Sequence, residues 1–344
     1  MIASNLSSNF MTYNNINFNS KTILITGGAG FIGSNLAFYF QENYPDCHIV
    51  IFDCFRNEEK FSNGNLQNFG HYKNLIGFNG DVICGNINSK SDLSLLNDYQ
   101  FDYIFHKAAI SDTRVYDQEL IMKTNVNSFY DLLDKARKDN SVVIYASSAA
   151  TYGSLPSPQK VGREAPDNPY GFSKFTMDQV AKRFSKKNPD LVIVGLRYFN
   201  VYGPNEFYKD KTSSMILQLG HQILDGTPPR LFEDSKQILR DFVYIDDVIQ
   251  ANIKACNPKQ NGSYNVGTGE SRSFQEVADI LQKELKTDLG TEYFPNPHDG
   301  YQNHTQADIS ISKKYLGFTP KFSLEKGIKS YISEIKRLHG DKIL

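Results

Sequence analysis

The run Gly27-Gly28-Ala29-Gly30-Phe31-Ile32-Gly33 constrains this chain more than any other. It follows a short apolar stretch, Thr22-Ile23-Leu24-Ile25, and precedes residues 34–41, which read as a helix. Strand, glycine turn and helix in that order leave little choice of architecture. One glycine makes the tight turn, another lets the backbone approach a bound group, and the last allows close helix–strand packing. The helix start then offers free N–H groups, which suit a phosphate. A second apolar run, His48-Ile49-Val50-Ile51-Phe52, ends in Asp53. An acidic residue about 20 positions beyond the glycines is where a dinucleotide's ribose is read. Together these features predict a dinucleotide site.

Further apolar runs at 82–84, 103–106, 142–146 and 191–196 alternate with helical candidates at 34–42, 89–97, 121–138 and 170–187. Such alternation predicts an α/β chain: a doubly wound, Rossmann-type parallel sheet covered on both faces, with ligands beyond the carboxyl ends of the strands. From about residue 200 prolines and glycines break the alternation, so a smaller, mostly C-terminal substrate lobe is expected. Residues 241–255 and 264–267 read as a helix and a strand returning to the main sheet. The expected division is 21–200 plus about 241–268 for the dinucleotide-binding domain, and about 201–240 plus 269–344 for the substrate lobe. Residues 1–20 hold six Asn and no charged residue, and read as a poorly ordered extension. The tail after Lys326 reads as a solvated amphipathic helix.

The formal net charge of −1 gives no reason to expect nucleic acid or an anionic membrane as partner. No run approaches the roughly 20 apolar residues of a membrane span. Cys47, Cys54, Cys84 and Cys256 form no metal-binding spacing, so no metal is expected, and free thiols suit a reducing cytoplasm.

The second strong feature is Tyr170-Gly171-Phe172-Ser173-Lys174. Residues at i and i+4 share one face of a helix. Making a tyrosine useful as an acid/base near pH 7 takes roughly 4 kcal/mol of phenolate stabilisation. One cation about 4 Å away at an effective dielectric near 20 supplies about that much. Lys174 is therefore expected to activate Tyr170 and to hold a cofactor ribose. Ser148, at a strand end in Tyr145-Ala146-Ser147-Ser148, offers a hydroxyl to a forming ketone.

These residues resemble the extended short-chain dehydrogenase/reductase family, the NAD-dependent epimerases and dehydratases. The resemblance runs from about Lys21 to near the C-terminus, through TGGAGFIG, HKAA from His106, the Ser148 segment, YGFSK, RYFNVYGP from Arg197 and RDFVYIDDV from Arg240. Within it the chain is most similar to the branch that inverts C6 of ADP-heptoses. The carrying features are YASSAATYG, Glu206-Phe207-Tyr208-Lys209, the stretch from Arg230 to Ser235, Tyr301-Gln302 and the stretch from Thr305 to Asp308. A dehydratase usually has an Asp-Glu pair after its catalytic threonine, where this chain has Tyr152-Gly153.

The resemblance implies a cytoplasmic homo-oligomer that acts on a nucleotide-sugar, an ADP-heptose, for the lipopolysaccharide core. It also implies NADP held throughout turnover, with NAD as the alternative. The C6 hydrogen of such an alcohol is not acidic, so it leaves as hydride and returns to the opposite face. Both faces then need proton handling. Tyr170 serves one; the family's second acid/base falls on Lys209, with Lys211 a neighbouring competitor.

For the cofactor the resemblance marks Gly27, Gly30, Phe31, Ile32 and Gly33 at the turn, and Asp53, Cys54, Lys60 and Lys73 around the adenosine. Lys107, Ala108, Ala109, Ile110, Ser111, Asn125, Lys174, Val201 and Lys209 complete that groove. For the sugar nucleotide it marks Asn200, Lys211, Gln218, Phe232, Glu233, Asp234, Ser235, Arg240 and Tyr301. Arg240 suits a diphosphate because its planar fork matches phosphate oxygens. Gln218, Lys211 and Asn86 depart from the family's usual residues. Asp53 favours a ribose 2′-hydroxyl, whereas Arg56, Lys60 and Lys73 offer charge for a 2′-phosphate.

Overall fold

A computed structural model of the chain describes residue 13, residues 16–296 and residues 302–341. The apolar runs form strands β1 (Thr22–Thr26), β2 (His48–Asp53), β3 (Asp81–Cys84), β4 (Tyr103–His106), β5 (Val142–Ser148) and β6 (Ile193–Tyr198). Short strands follow: β7 (Asn200–Tyr202), β8 (Arg230–Phe232), β9 (Leu239–Arg240), β10 (Phe242–Tyr244), β11 (Gly262–Val266), β12 (Arg272–Ser273) and β13 (Glu292–Phe294). Seven strands make one sheet in the order β11-β6-β5-β4-β1-β2-β3, and every pairing in it is parallel. The inner strands are buried on both faces, which explains their unbroken apolar character. Edge strand β3 is largely exposed. Strand β1 lies between β2 and β4, where the chain reverses its direction of travel across the sheet; the crevice beyond such a point is where ligands bind in open α/β sheets.

Helix α1 (Phe31–Asn43) leaves the glycine turn with Gly30 at its N-cap and no side chain capping it. Helix α2 (Lys90–Ser94) is short and runs on into a 3₁₀ turn. The helix expected over 121–138 is interrupted. Its parts are α3 (Gln118–Met122), a π turn (Lys123–Asn127) and α4 (Ser128–Asp139). Such π turns often mark functional positions, and this one buries Asn125. Helix α5 (Pro169–Lys187) starts with Asn168 accepting the Gly171 N–H and with proline at its first position.

Beyond β6 come α6 (Met215–Leu224), α7 (Ile245–Lys254), α8 (Phe274–Leu285), α9 (Ser310–Leu316) and α10 (Leu324–Leu338). Helices α6, α8 and α10 pack on one another; α7 packs on α1 and β11 joins β6. Helix α10 is amphipathic as expected, but it is more than a solvated tail. Ile328, Tyr331 and Ile335 are fully buried in the main core.

Within residues 1–20, most of the expected extension lies outside the described residues. Its end does not behave as an extension. Phe18 is fully buried against Phe40, Tyr44 and Tyr103, and Tyr13 stacks on Tyr39. A phenyl ring that fills the base of α1 orders the chain before β1 begins.

Candidate active site

The glycine turn is as tight as its composition requires. Gly27 has φ +68°, and a Cβ there would sit 2.6 Å from the Ala108 nitrogen. At Gly33 a Cβ would sit 2.2 Å from the Gly27 carbonyl oxygen. The turn opens onto a cleft of about 870 Å³ beyond the strand ends. With no capping side chain and no acidic residue in its first turn, the start of α1 fits an anionic pyrophosphate. At one end of the cleft Asp53 accepts the Ala29 N–H at 2.9 Å and the Phe55 N–H at 2.8 Å. Burial pushes its carboxyl up, and those two N–H bonds pull it down. A further concavity of about 830 Å³ opens at the opposite ends of the strands and holds none of the expected site residues.

Ser148 ends β5, while Tyr170 and Lys174 occupy successive turns at the start of α5. The Tyr170 and Ser148 hydroxyls interact, and the Lys174 ammonium lies 5.9 Å from the Tyr170 ring. Burial pushes the Tyr170 phenol above its ordinary value, opposed by Ser148. The expected activation by Lys174 is therefore not built into these residues alone. Lys174 is itself buried, is pushed down to about 7, and donates to the Ala146 carbonyl at 2.8 Å.

A buried network behind this trio had no counterpart in the sequence reading. Asp178, one turn beyond Lys174, accepts from Ser147 Oγ (3.1 Å), Tyr145 Oη (2.8 Å) and Arg197 Nε (2.9 Å). Arg197 also reaches Glu164 at 2.5 Å and Tyr152 Oη at 2.9 Å. The network fixes α5 on β5 and β6. Its one sequence signal was the four-residue spacing of Tyr170, Lys174 and Asp178.

Lys209 reaches the same cleft from a 3₁₀ turn, Phe207–Thr212. Its amine lies 5.6 Å from the Phe31 ring centroid. Burial lowers its pKa, and the Glu206 carboxylate opposes that. Glu206 is fully buried and accepts the Gly203 N–H (3.2 Å), the Ser214 N–H (2.6 Å) and the Ser214 hydroxyl (2.7 Å). It thus staples both ends of the segment that carries Lys209. Nothing in the sequence around Glu206 marks it for this part.

The structure brings Gly27, Gly30, Phe31, Ile32, Gly33, Asp53 and Cys54 into the cleft wall. Lys107, Ala108, Ala109, Ile110, Ser111, Asn200, Val201 and Arg240 line it too. The Lys107 side chain turns inward, to the Ile144 carbonyl and Tyr198 Oη, both at 3.2 Å. Asn125 stands behind the wall and grips the Ile110 N–H, the Ile110 carbonyl and Ser173 Oγ. Arg240 donates to the Leu239 and Gln302 carbonyls, and its guanidinium lies over Phe274 at 5.8 Å. Asp241 is engaged elsewhere, by Thr268, Gly269 and Ala307.

Other expected residues do not line the cleft. Lys60 is exposed at its rim, between the lining residues Glu59 and Phe61. Lys73 lies over the Tyr208 ring at 5.9 Å, and Arg56 donates to the Tyr208 carbonyl. Lys211 is exposed, and Gln218 donates to the Ser213 carbonyl. Phe232, Glu233, Asp234 and Ser235 form the end of β8 and the turn after it, outside the lining. Tyr301 lies outside the described residues. Ser213 and Ser214, which do line the cleft, were missed because nothing in their composition marks them.

A parallel sheet with this strand order, a glycine turn at its switch point and a Ser–Tyr–Lys set on β5 and α5 define a dinucleotide-binding α/β enzyme. The sequence matches the NAD dependent epimerase/dehydratase family over residues 23–267, and the chain belongs to that family. It is 35% identical to the ADP-L-glycero-D-manno-heptose-6-epimerase of Brachyspira hyodysenteriae, over 92% of this chain and 99% of that one. The fold is similar to the crystal structure of the Helicobacter pylori ADP-L-glycero-D-manno-heptose-6-epimerase, with TM-score 0.85, 49% identity, and 95% and 99% of the two chains covered. It is also similar to the UDP-glucose 4-epimerase of Thermotoga maritima, with TM-score 0.81, 27% identity, and 92% and 99% covered.

Proposed function

We propose that this protein inverts C6 of an ADP-heptose, converting ADP-D-glycero-D-manno-heptose to ADP-L-glycero-D-manno-heptose. The observation that carries the reading is the presence of two acid/base side chains, Tyr170 and Lys209, in one cleft with a glycine turn suited to a dinucleotide. The two heptose-epimerase relatives, each similar over nearly its whole length, support the substrate class.

A bound nicotinamide dinucleotide would accept the C6 hydrogen as hydride and return it. The chain's own residues handle the protons. Tyr170, bridged by Ser148, takes the hydroxyl proton of one epimer, and Lys209 takes that of the other. Lys174 holds the ribose, and its positive charge favours the phenolate whenever it is protonated. The Ser148 hydroxyl donates to the C6 carbonyl oxygen while it exists. Two acid/bases suit inversion, whereas a reductase working on one face needs one.

For the cofactor we take NADP, with Lys60 and Lys73 supplying charge to a 2′-phosphate from the cleft rim. The backbone bonds that already engage both Asp53 oxygens moderate the repulsion from that carboxylate. The sugar-nucleotide end is assigned to Asn200, Arg240 and the segments around Lys211, Gln218, Phe232 to Ser235 and Tyr301. The proposed setting is the cytoplasmic supply of heptose for lipopolysaccharide, by a homo-oligomer with a dinucleotide-binding domain and a smaller substrate lobe.

The test is NMR of the purified protein with ADP-heptose and GDP-heptose, without added cofactor. Inversion at C6 of the ADP sugar is expected. A reduced or dehydrated product, or inversion of the GDP sugar alone, contradicts the reading.

A further inference from the structure

The Lys209 segment is held from outside itself. Asn205 and Asp210 flank it at φ +72° and +52°, a conformation that non-glycine residues keep only when their surroundings fix it. The fixing groups come from the start of helix α1 and from the loop that follows β2. Asn35 donates to the Pro204 carbonyl (3.0 Å), and Asn205 donates to Ser34 Oγ (3.1 Å). Asn74 donates to the carbonyls of both Asn205 (3.3 Å) and Ala29 (3.1 Å). Closest to Lys209, the His71 ring lies face to face on Tyr208, with centroids 3.8 Å apart and planes 2° from parallel. The His71 N–H bonds the Ala29 carbonyl at 3.0 Å. One residue thus ties the backbone of the glycine turn to the neighbour of Lys209. Burial, with Arg56 and Lys73 alongside, holds the imidazole down to about 4, so the ring stays neutral under working conditions.

We propose that His71, through its stack on Tyr208, is a positioning residue for Lys209. It sets the reach of the amine relative to the glycine turn. The loop flanking the adenosine end of the cleft thereby controls the second acid/base. The inference rests on the reading of Lys209 as that acid/base. Its physical basis is that a displacement of about 1 Å in a reacting group costs as much as 100-fold in rate.

The test uses the full-length protein with its bound dinucleotide. Each C6 epimer of ADP-heptose is supplied separately in a single turnover, and formation of reduced nicotinamide is followed by absorbance. His71→Ala is expected to slow oxidation of the Lys209-facing epimer about 100-fold, and to leave the Tyr170-facing epimer within about twofold. His71→Phe keeps an aromatic face and is expected to restore most of the rate. If His71→Ala does not fold, Tyr208→Leu removes the stack from the other side, with the same one-sided result expected. Equal slowing of both epimers, or no slowing of either, overturns the proposal. Lys209→Ala, run in parallel, separates the two claims. A one-sided defect in Lys209→Ala beside an even one in His71→Ala removes the positioning role alone. An even defect in Lys209→Ala removes the second acid/base and the positioning role with it.

Discussion

The two proposed acid/base groups stand on unlike supports. Tyr170 projects from the first turn of a capped helix packed on a buried parallel sheet. Its orientation follows from regular secondary structure and from the Asp178–Arg197 network behind it. Lys209 projects from a turn with an unfavourable backbone angle beside it, held by the buried Glu206 and by side chains from distant parts of the chain. A regular element places a side chain largely by local geometry. An irregular segment needs tertiary anchors, and each anchor is a point where function can be lost without touching the reactive group.

The largest effect that separates the two supports is expected from the reactive groups themselves. Tyr170→Phe and Lys209→Ala should each lower epimerisation by about 10²- to 10⁴-fold, with the double variant near zero and folding retained by circular dichroism. Substantial residual turnover in the double variant would break the comparison at its root.

Next comes pH. Lys174 is held down to about 7 from an ordinary 10.5, and Lys107 is also held well below that value. Between about 7 and 9 the unfolded chain binds a proton at Lys174 that the native one does not, so stability of the cofactor-free protein should rise with pH there by about 1.4 kcal/mol per unit from Lys174, with Lys107 acting in the same direction. Above about 9 the thiols of Cys47, Cys54 and Cys256, pushed up by burial, keep protons that the unfolded chain loses and oppose the rise. Lys174→Met should flatten the slope in denaturant titrations, and an unchanged slope would refute the burial argument.

Glu206→Ala leaves buried donors of Gly203 and Ser214 without their acceptor, and should cost about 3 kcal/mol by the same measurement. A loss below about 0.5 kcal/mol would show that the segment does not depend on its staple.

The smallest effect concerns the rim. Lys60→Ala with Lys73→Ala should weaken NADP about tenfold by calorimetry and leave NAD unchanged. Equal loss of both cofactors would mean that these lysines do not read the 2′-phosphate.

The same contrast explains what was legible in the sequence. Strands β1, β2, β4, β5 and β6 and helices α1 and α5 announce themselves, because burial on two faces demands apolar runs and a close turn demands glycine. Ser148, Tyr170 and Lys174 were readable because a strand end and a helical spacing of four fix their relations in advance. The π turn at Asn125 was not, since it serves contacts to Ile110 and Ser173 that only the folded chain brings near. His71 and Tyr208 were opaque for the same reason: they stack on each other from more than a hundred residues apart. The partners of Glu206, Gly203 and Ser214, are near in sequence, but only the folded chain shows that its carboxylate is buried between them. Lys60 and Lys73 show the converse. A family pattern named them, yet neither lines the cleft: Lys60 is exposed at its rim, and Lys73 lies over the Tyr208 ring.

Isotope tracing at C6 tests the hydride account most directly. The reaction is run in deuterium oxide with unlabelled ADP-heptose, and the product is read by NMR and mass spectrometry. The account predicts inverted product that still carries its original hydrogen at C6. Deuterium from solvent at that carbon would mean that a proton had been exchanged there, and would contradict it.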